Sequence, residues 1–164
     1  MAAAIYFTEI ESPVGRLLLE ANDSGLSAIQ FVAGRRAAKP SPEAKRNAVP
    51  FRETIRQLHA YFRGELKEFD LPLALNGTPF QLRVWQRLRE IPYGETISYG
   101  QLAREIDRPE ASRAVGLANG SNPIPIIVPC HRVIGSDGSL TGYGGGLSIK
   151  QKLLSFESRQ LRLL

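Results

Sequence analysis

Three short apolar runs, IYFTEI, RLLLEA and LSAIQFV, open the chain, separated by turn signals at Ser12-Pro13 and at Asn22-Asp23-Ser24-Gly25. Runs this short and β-prone, closed by residues that favour turns, predict an antiparallel meander from Ile5 to Val32. The stretch AGRRAAKPSPEAKRNAVP then has no apolar period and predicts an exposed loop over 33–50. Beyond it the apolar spacing changes to that of a helix. Phe51, Ile55, Leu58, His59 and Phe62 recur at three and four, and Gly64 closes the pattern. His59 shares that face and reads as a core or boundary histidine. Lys67 to Leu75 reads as a strand or extended connector into a second unit. The expected fold class is α+β, with a small N-terminal antiparallel sheet plus helix over 1–76 and a mostly helical part over 77–164.

The second part carries its own helix signals. Thr78 can cap, Pro79 suits a first turn, and Phe80, Leu82, Val84, Trp85 and Leu88 supply one apolar face. IPYGET breaks this helix. Ser98 can cap a short helix in YGQLAREI, and EASRAVGLAN predicts another after Asp107-Arg108-Pro109, so that the pair reads as a helix-turn-helix. In the second of these helices Ala111, Ser112, Ala114, Gly116 and Ala118 are small, and Arg113 is the one long basic side chain among them. Small residues serve tight helix packing, and they also let a backbone approach a nucleic-acid groove; composition leaves both open.

A chain of 164 residues buries a real core without metal or disulfide staples. Its single cysteine forms no internal disulfide, and a free thiol survives best in a reducing cytosol. Structural zinc is excluded, because His59, His131 and Cys130 lack the spaced ligand clusters it needs. No run reaches the roughly 18 apolar residues of a membrane span, and the N-terminus lacks a targeting pattern, so a cytoplasmic protein with no membrane partner is expected. Lys and Arg outnumber Asp and Glu by 21 to 16, a formal charge of +5 that permits a polyanionic partner.

The lone thiol lies in SNPIPIIVPCHRVIG. Prolines 123, 125 and 129 predict an extended backbone leading to Cys130. A buried spectator and a nucleophile are both open for Cys130 at this point. As a nucleophile it needs a base, and His131 is the nearest. Neighbours in an extended segment face opposite ways, so contact needs a local turn or a bridging water, and the water is the favoured reading. A carboxylate that orients the imidazole could be Glu157, on a helix from about Leu147 to Gln160, or Asp137 in a hairpin-like Ser-Asp-Gly turn. Glycines 142, 144, 145 and 146 surround Tyr143, either as a turn or as a pocket wall for a flat ligand. No Lys-Ser pair comes after them, so a phosphate-binding P-loop is excluded.

PYGETISYGQLA, SRAVGLANGSNPIPIIVPCHRVIG, TGYGGG and KQKLLSFE, in this order, resemble the methylated-DNA–protein-cysteine methyltransferases, also called O6-alkylguanine-DNA alkyltransferases. The resemblance spans roughly Phe80 to Glu157, and the N-terminal part is compatible with the family's ribonuclease-H-like first domain. It implies a single-turnover repair enzyme without cofactor, in which Cys130 takes the alkyl group from guanine O6, and from O4-alkylthymine, as a stable thioether. His131 would accept the thiol proton through a water, Glu157 orient the ring, and Asn122 brace the network. Tyr99 would donate a hydrogen bond to the leaving guanine. Arg113 would fill the gap left by the flipped nucleotide, with Ala111, Ser112, Ala114 and Gly116 against the DNA. Val133 and Tyr143 would line the alkyl pocket, with Gly144 where some relatives carry a polar residue.

The implied partner is double-stranded DNA carrying O6-alkylguanine, bound through its minor groove by a monomer, with cooperativity left open. Two other classes compete. An alkyltransferase-like protein that binds lesions without repairing them lacks the cysteine, which Cys130 argues against. A Cys-His hydrolase would turn over without keeping a mass gain.

Overall fold

β1 (Tyr6–Ile10), β2 (Leu17–Asn22) and β3 (Gly25–Phe31) form the expected meander, each pairing antiparallel with the next. The computed structural model describes residues 4–32, 38–140, 143 and 146–162, with side chains up to 159. The chain divides into two units, Met1–Asn76 and Gly77–Leu164.

In the first unit β2 is an inner strand, between β3 and β1. Leu17, Leu18, Leu19 and Ala21 are all buried, because a run apolar on both faces is stable only where both faces are covered. The carboxylate of Glu20, also buried, accepts hydrogen bonds from the backbone N–H and hydroxyl of Ser41. The expected loop is ordered here. Lys45–Arg46 form a short strand, β4, parallel to β1, giving the order β3-β2-β1-β4, and Val49–Phe51 make a 3-10 turn. Two residues are too few to show a strand period, and the pairing arises because the outer edge of β1 offers free backbone groups. Residues 33–37 of the same stretch lie outside the described set.

The connector after α1 (Arg52–Phe62) docks on β3, through Leu26 N–H to the Pro72 carbonyl at 3.0 Å and Ala74 N–H to the Leu26 carbonyl at 2.7 Å. Gly25, at φ +143°, is required there, since a Cβ would stand 2.4 Å from the Pro72 oxygen. Gly64, at φ +78°, ends α1 as expected, with Glu65 N–H reaching back to the Ala60 carbonyl at 2.9 Å. The buried face of α1 is rotated from the expected one. Phe51, Thr54, Gln57, Leu58 and Tyr61 are buried, Ile55 and Phe62 are half-buried, and His59 is exposed. The cause is Gln57, whose amide pairs with both backbone groups of Asp70 and so belongs inside.

The second unit starts at α2 (Pro79–Leu88). Thr78 and Gln81 cap it reciprocally, and Val84, Trp85 and Leu88 face the core. Trp85 donates to the carbonyl of Ala118 at 2.8 Å. Next come β5 (Ile97–Ser98), α3 (Tyr99–Glu105), capped by Ser98, and α4 (Ser112–Gly120). β6 (Val133–Ile134) pairs parallel to β5, and α5 spans Leu147–Arg162. This α+β arrangement matches the expected class.

Candidate active site

The Cys130 segment is a turn, where an extended segment was expected. Cys130–Arg132 form one 3-10 turn, closed by Arg132 N–H to the Pro129 carbonyl at 3.0 Å. The prolines exclude a helix only up to Pro129; after it each residue has its N–H, and the chain tightens. Ile126, β-branched and buried, is held at φ +75°, a strained conformation in the loop that delivers the cysteine. Asn122 fixes that loop: its amide donates to the Val128 carbonyl at 2.7 Å and its oxygen accepts from Ile124 N–H at 3.0 Å.

Cys130 and His131 are both buried. The turn does not hydrogen-bond them directly, since His131 Nδ1 has no partner among the described residues. Of the two candidate carboxylates, Glu157 meets the imidazole: its Oε2 lies 2.8 Å from His131 Nε2. Asp137 instead accepts from Ser139 N–H within its own hairpin, at 3.0 Å. Arg132 holds Glu157 with two parallel hydrogen bonds of 2.9 Å, from Nε and Nη2, and donates from Nη1 to the Ile91 carbonyl at 2.7 Å.

This arrangement sets the protonation states. Burial pushes the Cys130 thiol up to about 11, against a smaller favourable hydrogen bond from Asn122 and the charge of Lys150. Burial also pushes His131 down, opposed by Glu157 and helped by the positive charges of Arg132 and Lys150. For Glu157 burial works upward, but the hydrogen bonds and charges of His131 and Arg132 win and hold it far below the usual carboxylate range. A neutral imidazole beside an ionised carboxylate places its proton on Nε2, which leaves Nδ1 as an acceptor. The thiol is therefore protonated at neutral pH and stands beside a base able to take its proton.

β5 and β6 bring a further element in. Pairing Ile97 with Val133 and Ser98 with Ile134 sets Tyr99, the first residue of α3, beside the cysteine turn; Val133 is fully buried. Lys150 Nζ lies 5.8 Å from the Tyr99 ring centroid and donates to the Val133 carbonyl at 2.6 Å. Tyr143, half-buried, has its phenol pushed well above the ordinary value by burial, with the negative charge of Glu157 acting in the same direction. Gly144 lies outside the described residues.

The small residues of α4 divide between the two readings left open. Ala118 is buried, and a Cβ on half-buried Gly116 would meet the Tyr99 ring at 3.9 Å, so these serve packing. Ser112, Arg113 and Ala114 are exposed, as is Leu117 at 74%, and Ala111 is half-buried at the N-cap. Sequence reasoning missed Arg132, Lys150 and Asn119, whose amide donates to the Cys130 carbonyl at 3.3 Å. A signal existed for Lys150: with Leu153 and Glu157 it falls at the spacing of three, four and seven that marks the buried stripe of α5. Among the described residues no group of three or more His, Cys, Asp or Glu is placed to hold a metal ion, and no helix is long and apolar enough to cross a membrane.

Two family models cover nearly the whole chain. The ribonuclease-like domain of 6-O-methylguanine DNA methyltransferase matches residues 5–75, and its DNA binding domain matches residues 79–159. A methylated-DNA–protein-cysteine methyltransferase of Methanosarcina acetivorans is 54% identical over 153 residues, covering 93% of this chain and 98% of the relative. The crystal structure of Mycobacterium tuberculosis OGT in complex with DNA superposes with a TM-score of 0.88 at 49% identity, covering 94% of each chain. The M. tuberculosis O6-methylguanine methyltransferase superposes with the same TM-score and identity, covering 97% of this chain and 98% of that one.

Proposed function

The chain belongs to the 6-O-methylguanine DNA methyltransferase family, and from that premise we propose that it repairs duplex DNA by moving an alkyl group from guanine O6 onto its own Cys130. Thymine alkylated at O4 offers the same kind of leaving oxygen and is the second substrate. The observation that carries this reading is the pairing of a lone thiol, kept protonated by burial, with a neutral imidazole whose Nδ1 is an unpartnered acceptor. A spectator cysteine needs no such neighbour.

The sulfur attacks the alkyl carbon as its proton passes, through a water, to His131 Nδ1. The new C–S bond forms while the C–O6 bond breaks, and its electrons leave with the guanine. Tyr99 donates a hydrogen bond where that negative charge develops. The departing base recovers the proton, so thiol plus alkylguanine become thioether plus guanine. A thioether has no leaving group that water can displace under these conditions, and each molecule acts once. Glu157 keeps the imidazole in its tautomer, Asn122 holds the loop and steadies the sulfur, and Val133 and Tyr143 bound the alkyl group.

A base within a duplex hides its O6 substituent, so the nucleotide has to be flipped out, at a cost of a few kcal/mol of unstacking. The exposed Arg113 fills the gap, and Ser112, Ala114 and Ala111 let α4 approach a widened minor groove. A monomer acting in the reducing cytoplasm fits a reaction with one free thiol.

Duplex DNA with a labelled O6-methylguanine tests the reading. One methyl should be transferred per protein, and Cys130→Ala should abolish transfer while retaining DNA binding. Transfer that survives this substitution overturns it.

A further inference from the structure

Arg132 is an unusual residue to find inside a protein. It is 5% exposed and directs three donors inward: Nε and Nη2 to Glu157, at 2.9 Å each, and Nη1 to the Ile91 carbonyl at 2.7 Å. Glu157 Oε2 is shared between Arg132 and His131 Nε2. We propose that Arg132 is a positioning residue that acts through Glu157 to keep His131 Nδ1 free of a proton, and so to preserve the base that accepts the thiol proton. The proposal rests on the alkyl-transfer reading above.

Consider the pair without Arg132. A buried carboxylate facing a neutral imidazole would keep its negative charge out of water with the Gly94 N–H, 3.3 Å from Oε1, as a neutral donor in place of the guanidinium, which is costly. Taking up one proton removes that charge, and the proton has two places to go. On the imidazole it makes the imidazolium, in which Nδ1 carries hydrogen. On the carboxyl it makes an acid that donates to Nε2, which forces the ring's own hydrogen onto Nδ1. Both outcomes fill the acceptor that faces the thiol. The guanidinium prevents them by neutralising Glu157 with a cation that stays protonated throughout the physiological range.

The other groups facing the imidazole support this and do not replace it. Lys150, on α5, is a second positive charge acting on His131, and its ammonium donates to the Val133 carbonyl at 2.6 Å. Cys130 is the reacting group. Tyr143 and Tyr93 each feel the charge of Glu157, and both phenols are raised and hence neutral. Arg132 combines a fixed positive charge with two direct bonds to the carboxylate.

The test is the pH profile of single-turnover methyl transfer by the full chain from O6-methylguanine duplex, between about pH 6 and 9. Arg132→Met should move the midpoint of the acid limb up to about one unit above neutral, so that the rate at about pH 7 falls about tenfold and recovers toward that of the unmodified chain at high pH. Arg132→Lys restores the cation without the parallel bonds and should return the limb most of the way. A profile lowered uniformly, with its midpoint unmoved, would assign Arg132 a structural role only and overturn the proposal. Should Arg132→Met fail to fold, 15N shifts of His131 in the unmodified protein decide: Nε2 protonated and Nδ1 bare at neutral pH is expected, and hydrogen on Nδ1 overturns it. Loss of transfer in Cys130→Ala reports on the alkyl-transfer reading separately, because the 15N measurement needs no activity.

Discussion

The two units bury polar groups for different ends. In the first, Thr8, Glu20, Thr54 and Gln57 are the buried polar side chains described, and those with described partners serve the backbone: Glu20 holds Ser41, and Gln57 holds both groups of Asp70. In the second, the corresponding set is Asn119, His131, Arg132, Lys150 and Glu157, all converging on the turn that carries Cys130. Stability alone favours the first pattern. A buried ion pair is often no better than well-packed apolar residues, so a cluster of three charged side chains and an imidazole around one thiol points to chemistry.

The widest test of that contrast pairs Glu157→Gln with Leu58→Ala. Glu157→Gln strands Arg132 as a buried cation, which costs about 3–5 kcal/mol, and it removes the group that sets the His131 tautomer, lowering methyl transfer by about 10²-fold or more. Leu58, fully buried in the first unit, should cost about 2–5 kcal/mol when cut to Ala through the cavity it leaves. Its transfer rate, measured well below the melting transition, should stay that of the parent. Denaturant unfolding and single-turnover kinetics on both variants give the answer. Comparable rate losses in the two would erase the distinction between scaffold and site.

Much of this contrast can be read in the sequence, and the parts that cannot share a cause. Strand runs, turn residues and the Thr78 and Ser98 caps are local signals, and each element they mark is present. Pairings are not local. The orientation of α1 depends on Gln57 finding Asp70, and β4 depends on the free edge of β1. At the site, Cys130 and His131 stand out by residue type and motif, Glu157 is one of two candidate carboxylates until the resemblance selects it, and Asn122, Tyr99 and Arg113 come by resemblance. Arg132 hides because an arginine in sequence reads as surface; only the fold reveals that α5 and the Ile91 carbonyl enclose it. The tight turn after Pro129 is hidden for a similar reason, since proline restricts the residue before it and leaves the residues after it free to turn.

A smaller effect separates the reactive thiol from a spectator by pH alone. An unfolded cysteine titrates near about 8.5, whereas burial holds Cys130 at about 11. As pH rises through that window the unfolded chain releases a proton that the native state keeps, so stability contributed by the protonated thiol is full below it and is lost across it, by at most about 3 kcal/mol. Lys150, whose value burial lowers, works in the opposite direction. The quantity to measure is therefore the difference between the parent and Cys130→Ser, by chemical denaturation from about pH 8 to 10.5. The parent should lose more stability, and the S-methylated protein should behave like the serine variant. Parallel curves for all three would mean that the thiol titrates in the native state as it does when unfolded.

The smallest expected change in stability lies at the start of α3. Ser98 Oγ accepts from Gln101 N–H at 3.0 Å and caps a helix of only seven residues, whereas α1, of eleven, has no side-chain cap and starts from buried Phe51. A short helix leans more heavily on its cap, because fewer internal bonds share the cost of its ends. Ser98→Ala should cost about 1 kcal/mol. Tyr99 comes directly after the cap and β5 ties Ser98 to Ile134, so fraying there also moves the proposed donor to the leaving guanine. The transfer rate should therefore fall while DNA affinity holds, and Ser98→Thr, which keeps a capping hydroxyl, should recover most of both. If Ser98→Ala lowers stability and leaves the rate untouched, Tyr99 is held by the Gly116 face and by Lys150 rather than by its cap, and the helix start belongs with the scaffold.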